Sequence, residues 1–342
     1  MDINDKKTIG IPRNPEKCDA GNMLTVGEIH TGLLQNWTSL PWLLTTQVLT
    51  LMPGAPVRRF ERPIAHAVSP DVLTGVDCRL ATSSGARVRG IGTAVSRAAI
   101  TGGRVLQGSA YAHVIKSDAD RRLPWSHYLA QPGVIETLGR TDFTDLAGGF
   151  LTAKAAPVSL DLGAVSGRVM DLVQQAPEFD RKPPFRMART RMRCVVTSPE
   201  AGEDSRAQFT IDSDTRRTVR LTVNAKDLPA AVELCEDLAL HDWLLTALLQ
   251  QIEQSRHHRS GHSQLVNKLH PIIDHLLHLW MPAARLDKSM LPLWDSLEQQ
   301  PGFTNQWTTQ VSWVRDQVSL STIRLLGSLE NGGKFDDGKK EE

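Results

Sequence analysis

The chain has 342 residues, enough for one or two domains with a sizeable core. Hydrophobic residues make up 40% and charged residues 23%, and the formal net charge is +1, so nothing global demands a nucleic acid or a membrane surface. The four cysteines, Cys18, Cys78, Cys194 and Cys235, lie too far apart for a zinc ribbon or a CxxC redox motif, which excludes both classes.

Residues 1–22 are polar and lack a basic stretch followed by an apolar one. They read as a disordered leader, with Met23 as an alternative start. No secretory signal is visible, so reduced thiols in a cytoplasm are expected. The longest apolar stretches, Leu40–Met52 and Ile272–Met281, fall far short of the roughly 20 residues of a membrane span.

Leu24–Leu34 is strand-like. Ser39 and Pro41 start a helix with Leu44, Val48 and Leu51 on one face and Pro53-Gly54 as its stop. From Val57 to Ile115 the chain is rich in Gly, Ala, Val, Ile and Thr, which reads as antiparallel sheet. Thr101-Gly102-Gly103 is the turn of a hairpin between Ala94–Ile100 and Arg104–Tyr111. Leu123-Pro124-Trp125 opens a short irregular or helical piece, and Phe143–Leu151 is a short helix. Ser159 caps a helix through Gln175 with Leu162, Val165, Val169 and Leu172 as its buried stripe. Arg181–Pro184 is a linker and Phe185–Val196 a strand. Gln208–Ile211 and Thr218–Val223 form a second hairpin.

After Asp227 the pattern turns helical. Helices are expected over Leu228–Gln254, Ser263–Met281, Leu286–Gln299 and Trp307–Leu329, followed by a charged, disordered tail. The first of these is apolar on more than one side, so it needs more than one neighbour, either the sheet or another chain. Five of the eight tryptophans lie from Trp243 to Trp313. Trp280, Trp294, Trp307 and Trp313 are either core or a partner surface, because tryptophan is enriched at binding hot spots. The expected class is therefore α+β: residues 23–226 a mixed, mainly antiparallel sheet region and residues 227–330 a helical bundle, with leader 1–22 and tail 331–342.

Three groups of residues suggest chemistry. Seven of the eleven histidines fall between His241 and His278. His270, Asp274 and His278 form one polar stripe on the second helix of the bundle. His270 and His278 are separated by about 12 Å of helical rise, too far for one ion to bind both. One adjacent pair could hold a metal with ligands such as His241 and Asp242 from the preceding helix. The alternative is a solvated or inter-helix hydrogen-bonded stripe, or a proton-transfer group. The second group is Arg189, Arg191 and Arg193, which share a strand face, with Arg217 extending the patch from the hairpin. They read as an anion site or as a solvated face with carboxylate partners; a nucleic acid is disfavoured because only Phe185 is interleaved. The third is Cys78, which could act as a nucleophile beside His66 or His113, against a default of a buried thiol. Val57–Arg104 has eight Arg against three acids, and Leu228–Glu330 has seven basic residues against eleven acidic ones. Sheet and bundle should attract each other, within the chain or between subunits.

Several stretches resemble an uncharacterised conserved actinobacterial protein family of the Streptomyces type. They are Glu61–Pro70 running into Leu73–Arg79, Gly102–Ser109, Leu123–Tyr128, Cys235–Trp243 and Asp274–Pro282. The resemblance covers roughly residues 23–329 and carries over no catalytic residue. It implies genomic company with a variant P-loop protein and a SAM-dependent methyltransferase. The primary expectation is a non-catalytic accessory or interaction component without a cofactor, bound to another protein or to a second copy of itself. An enzyme using the His/Asp helix and an anion-binding module are the rivals.

Overall fold

The computed structural model describes residues 23–119, 121–139, 142–152, 158–199, 204–257 and 262–333. The expected leader and residues 334–342 of the expected tail lie outside them.

Among the described residues ten strands form one mixed sheet: β1 (Met23–Leu33), β2 (Arg58–Phe60), β3 (His66–Val68), β4 (Val72–Leu80), β5 (Val88–Thr101), β6 (Val105–Lys116), β7 (Val134–Leu138), β8 (Thr190–Thr197), β9 (Arg206–Ile211) and β10 (Arg216–Thr222). Their order is β2-β3-β5-β7-β6-β1-β8-β10-β9, with β4 beside β3 on the same edge of β5 and a direct β5–β6 pairing. The β6–β7 and β8–β10 pairs are parallel and the rest antiparallel. β1 is central and alternates strictly. Leu24 and Val26 enter one apolar cluster while Ile29 and Leu33 enter another on the opposite face.

Both faces are covered. On one lie α1 (Trp42–Val48), α3 (Phe143–Thr152) and α4 (Leu162–Gln174); α2 (Trp125–Leu129) packs against β5. The other face carries α5 (Leu228–His257), with α6 (His262–His275), α7 (Leu291–Gln299) and α8 (Phe303–Gly333) beyond it. Trp243, Leu234, Leu244 and Leu248 are buried on different sides of α5. The second neighbour this helix requires is therefore in the same chain: the sheet lies on one side and α6 and α8 on another. A single apolar cluster runs from Ile29, Val196 and Leu221 through Leu238 to Leu276, Trp294 and Trp307. The change in composition near Asp227 thus marks a change of element type within one core.

Several boundaries differ from the sequence reading. Asp161, not Ser159, caps α4, its Oδ1 accepting from the Ala164 N–H at 2.9 Å. Ser159 instead makes a parallel bridge to Arg79. Leu172 is 54% exposed, and Ser166, Met170 and Val173 complete the buried stripe. The strand expected from Phe185 begins at Thr190. The helix expected to reach Met281 ends at His275, and a separate 3-10 turn follows at Leu277–Leu279. A 3-10 turn at Lys288–Met290 occupies the start of the helix expected from Leu286. α8 begins four residues earlier than expected and runs through Gly333, into the expected tail.

Candidate functional site

The charged residues first resolve into pairs within the chain. β8 turns Arg191 and Arg193 to the face of α4, where Glu28 of β1 receives both: Arg191 Nε contacts Oε1, and Arg193 Nε lies 3.2 Å from Oε2. A Cβ on Gly163 would stand 2.6 Å from Glu28 Oε1, so the first turn of α4 needs a glycine to admit this carboxylate. Arg189, just ahead of the strand, pairs with Asp171 at 2.6 Å. Arg217 points to the opposite face and binds Asp242 at 3.0 Å. The four arginines do not form one anion site; the anions that meet them are the chain's own carboxylates.

The seam between sheet and α5 is polar at three places. Arg97 forms a two-pronged pair with Glu236, 2.8 and 2.7 Å, and the Ser109 hydroxyl donates to the same carboxylate at 2.6 Å. Burial alone would raise the Glu236 carboxyl, but Arg97 and Ser109 outweigh it and hold it below the ordinary glutamate value. Asp237 takes Arg285 at 2.8 Å. Burial pushes Asp242 up to about 6 against the pull of Arg217. The basic sheet and acidic bundle thus attract each other inside one chain. Beside this seam burial depresses His66 to about 3, with Arg285 adding to the effect, and His113 to about 4. Burial, reinforced by Asp77, raises the Cys78 thiol to about 11, which suppresses its thiolate near neutrality.

The His/Asp stripe is not assembled into a site with α5. His270 and Asp274 pair with each other at 2.9 Å on the surface, their side chains 66% and 46% exposed. His241 is buried, its Nδ1–H donating to the Asp237 carbonyl at 2.8 Å, and Asp242 is committed to Arg217. Among the described residues no three His, Cys, Asp or Glu side chains converge to hold a metal ion. The tryptophans divide similarly. Trp280 stacks on Trp307 at 4.3 Å, while the His241 ring meets Trp280 and Trp294 edge-on at 5.1 and 5.7 Å. Trp294 and Trp307 are core, and Trp280 and Trp313 pack against it half-buried. Trp243, outside that set, is fully buried and donates to the Ala188 carbonyl.

What stays open lies at the end of the sheet. Gly102 and Gly103 turn the β5–β6 hairpin with φ of +59° and +61°, and the Arg104 N–H closes the turn on the Thr101 carbonyl. Both sites are also too close for a side chain: a Cβ on Gly102 would lie 2.3 Å from Leu279, and one on Gly103 2.5 Å from the Leu40 carbonyl. The turn therefore draws in three other segments. The Gly102 N–H donates to Ala65, the Leu40 N–H donates to Gly103, and Leu279 brings the 3-10 turn of the bundle. Buried Arg104 fixes the approach to α1, donating to the Asn36 and Trp37 carbonyls, to Ser39 and to His275 Nδ1.

These segments enclose a cleft of about 480 Å³. Leu40, Trp42, Pro63, Ile64, Ile100 and Met281 give it apolar walls, and Thr45 and His278 are polar lining groups. Its volume lies within the roughly 300–1,000 Å³ of ligand sites and its lining is mostly apolar, but it is open to solvent on one side. A second cavity, beside Arg193 and Asp161, holds about 20 Å³, room for about one water. Of the candidate site residues read from the sequence, His278 lines the cleft, beside the turn glycines Gly102 and Gly103. No local signal marks the rest, because the walls come from four distant segments.

No family model matches the chain, and no curated protein or solved structure is detectably similar to it. Among the described residues no helix is long and apolar enough to cross a membrane.

Proposed function

We propose that the protein is a non-catalytic interaction component that holds a partner protein at the cleft beside α1. The observation that carries this reading is the apolar surface around the opening. Met281, a wall residue, is 40% exposed, and Leu43, between the wall residues Trp42 and Thr45, is 77% exposed. Apolar side chains concentrated at a concave site mark a place where a partner covers them. The resemblance to the actinobacterial family supports an accessory role in a multi-protein system. It makes a variant P-loop protein and a SAM-dependent methyltransferase the first partners to test. The three described cysteines are free thiols, in keeping with a cytoplasmic setting.

The test is co-expression with those two proteins and co-purification on an untagged chain, comparing wild type with Leu43→Asp. Leu43 points to solvent, so the substitution leaves the fold intact. A stable complex that Leu43→Asp abolishes supports the reading. A chain that elutes alone with both candidates present, or a complex indifferent to the substitution, overturns it. Readings in which the His/Asp helix performs catalysis, or the arginine strand binds a nucleic acid, have no comparable support. Their side chains are met by one another or by Glu28, Asp171 and Arg217.

A further inference from the structure

The segment that leads into the Pro63 wall of the cleft is net basic. The segment from Arg58 to Arg62 carries three arginines and one acid, Glu61, all exposed. Among the described residues none of the three arginines has an ion-pair partner. The register sorts them. Arg58 and Phe60 oppose Val68 and His66, and Phe60 packs on the His66 ring at 5.2 Å. Arg59, opposite Ala67, turns to the other face and lies over the Trp42 ring at 5.4 Å. Trp42 is a wall of the cleft, so Arg59 stands at its mouth. Arg62 precedes Pro63, another wall residue. On the far side His278 lines the cleft, with Arg104 close enough to depress His278 further, beyond what burial does. An apolar pocket thus has Arg59 over its Trp42 wall, Arg62 next in the chain to its Pro63 wall and Arg104 near its His278.

We propose that the occupant is a short acidic segment of a partner protein. One bulky apolar side chain enters among Leu40, Trp42, Ile64 and Met281, and flanking Asp or Glu residues meet Arg59 and Arg62. This rests on the docking reading above and specifies the partner's chemistry. Strand addition is not the mode of attachment. β2 is three residues long, lies between Pro56 and Pro63 and carries arginine, the features by which sheet edges resist pairing. Recognition therefore runs through side chains: the pocket gives the anchor, and the arginines give register and choice of partner. A basic segment would meet repulsion at Arg59 and Arg62, while Glu61 and, on the α1 side, Asp180 at the Trp37 N–H are acids near the cleft.

The experiment is selection of short random peptides on the full-length protein, followed by fluorescence anisotropy with the selected peptides. Three proteins are compared: wild type, the Arg59→Glu/Arg62→Glu double variant, and Met281→Arg, which fills the cleft with a charged stem. All three positions are exposed, and matching circular-dichroism melts confirm intact folds. The proposal expects peptides with an aromatic or branched aliphatic residue flanked by Asp or Glu. Their affinity should fall about tenfold or more in the double variant, weaken with added salt and vanish in Met281→Arg. Peptides that lose binding in Met281→Arg but carry no acidic bias, or ignore the charge reversal, overturn the acidic partner and leave docking at the cleft standing. If no selected peptide is sensitive to Met281→Arg, the docking reading itself falls, and this proposal with it. Salt-sensitive binding of a random single-stranded oligonucleotide that Arg59→Glu/Arg62→Glu abolishes, without peptide selection, would also overturn it.

Discussion

Replacing Glu236 by glutamine keeps the shape of the side chain and removes its charge, which strands the Arg97 guanidinium in the seam between sheet and α5. The two side chains are 9% and 16% exposed, and both prongs of the pair are shorter than 3 Å. Removing one partner of a buried pair costs about 3–5 kcal/mol, because the remaining charge loses its compensation. Ser109 still finds an amide oxygen, which limits the loss to the ionic part. The surface pair Arg89–Asp77, 53% and 25% exposed, sets the contrast: water screens it, so Asp77→Asn should cost far less than Glu236→Gln. Removing both buried charges, as Arg97→Met with Glu236→Leu, should recover most of the loss, since neither ion then needs desolvation. Urea unfolding followed by tryptophan fluorescence reads all three variants against wild type. Fluorescence reports mainly on the bundle, so circular dichroism is followed in parallel for the sheet. A cost for Glu236→Gln comparable with that of Asp77→Asn would refute a buried seam. Separate transitions by the two probes would refute a shared core.

Other outcomes follow from the same structure. Gly103→Ala must place a Cβ 2.5 Å from the Leu40 carbonyl at a φ of +61°, so it should destabilise by about 2 kcal/mol or more and disturb the cleft, as a thermal melt and peptide binding would show. His66 and His113 have folded values of about 3 and about 4, below the ordinary 6.5. The stability they contribute is full above 6.5 and is lost as the pH falls towards those values. Each should remove about 2 kcal/mol between pH 7 and 5. His113→Asn should flatten its share of that slope, and an unchanged slope would contradict its burial as a neutral ring. Asp242 works in the opposite sense. Its folded value of about 6 lies above the ordinary 3.8, so its contribution is full below 3.8 and is lost as the pH rises through 6. Asp242→Asn should therefore make the acid side of the stability profile steeper, measured as the urea midpoint against pH.

The elements legible in the sequence are those whose signal is local. The Gly102-Gly103 turn, the strand-like run of β1 and the helical apolar pattern of α5 are each carried by residues close together in the chain. β7 is five residues between Gly133 and Gly139, long enough to insert between β5 and β6 but too short to stand out from a loop. For the arginines, parity gave the shared face of Arg191 and Arg193 but not its occupant, because Glu28 is 165 residues away from Arg193 along the chain. The same holds for α5. Its apolar girth showed that a second neighbour was needed, and the excess of acid in the bundle over base showed an attraction to the sheet. Neither could show that Glu236 would find Arg97. The tryptophan spacing marked helix faces, but the stacking of Trp280 on Trp307 depends on how α8 crosses the segment after α6. The cleft was invisible for the most basic reason: four segments between Leu40 and Met281 meet only because two glycines at the hairpin tip leave room for Leu40 and Leu279.

The most direct test of docking at this corner is an amide hydrogen-exchange footprint of the protein with and without its bound partner or selected peptide. The account predicts slowed exchange in residues 40–45, 63–65, 100–103 and 278–281. α8 offers a second exposed apolar surface at Leu320, Ile323 and Leu326, and it should exchange at the same rate in both states. Protection confined to α8, with the cleft segments unchanged, would contradict the account.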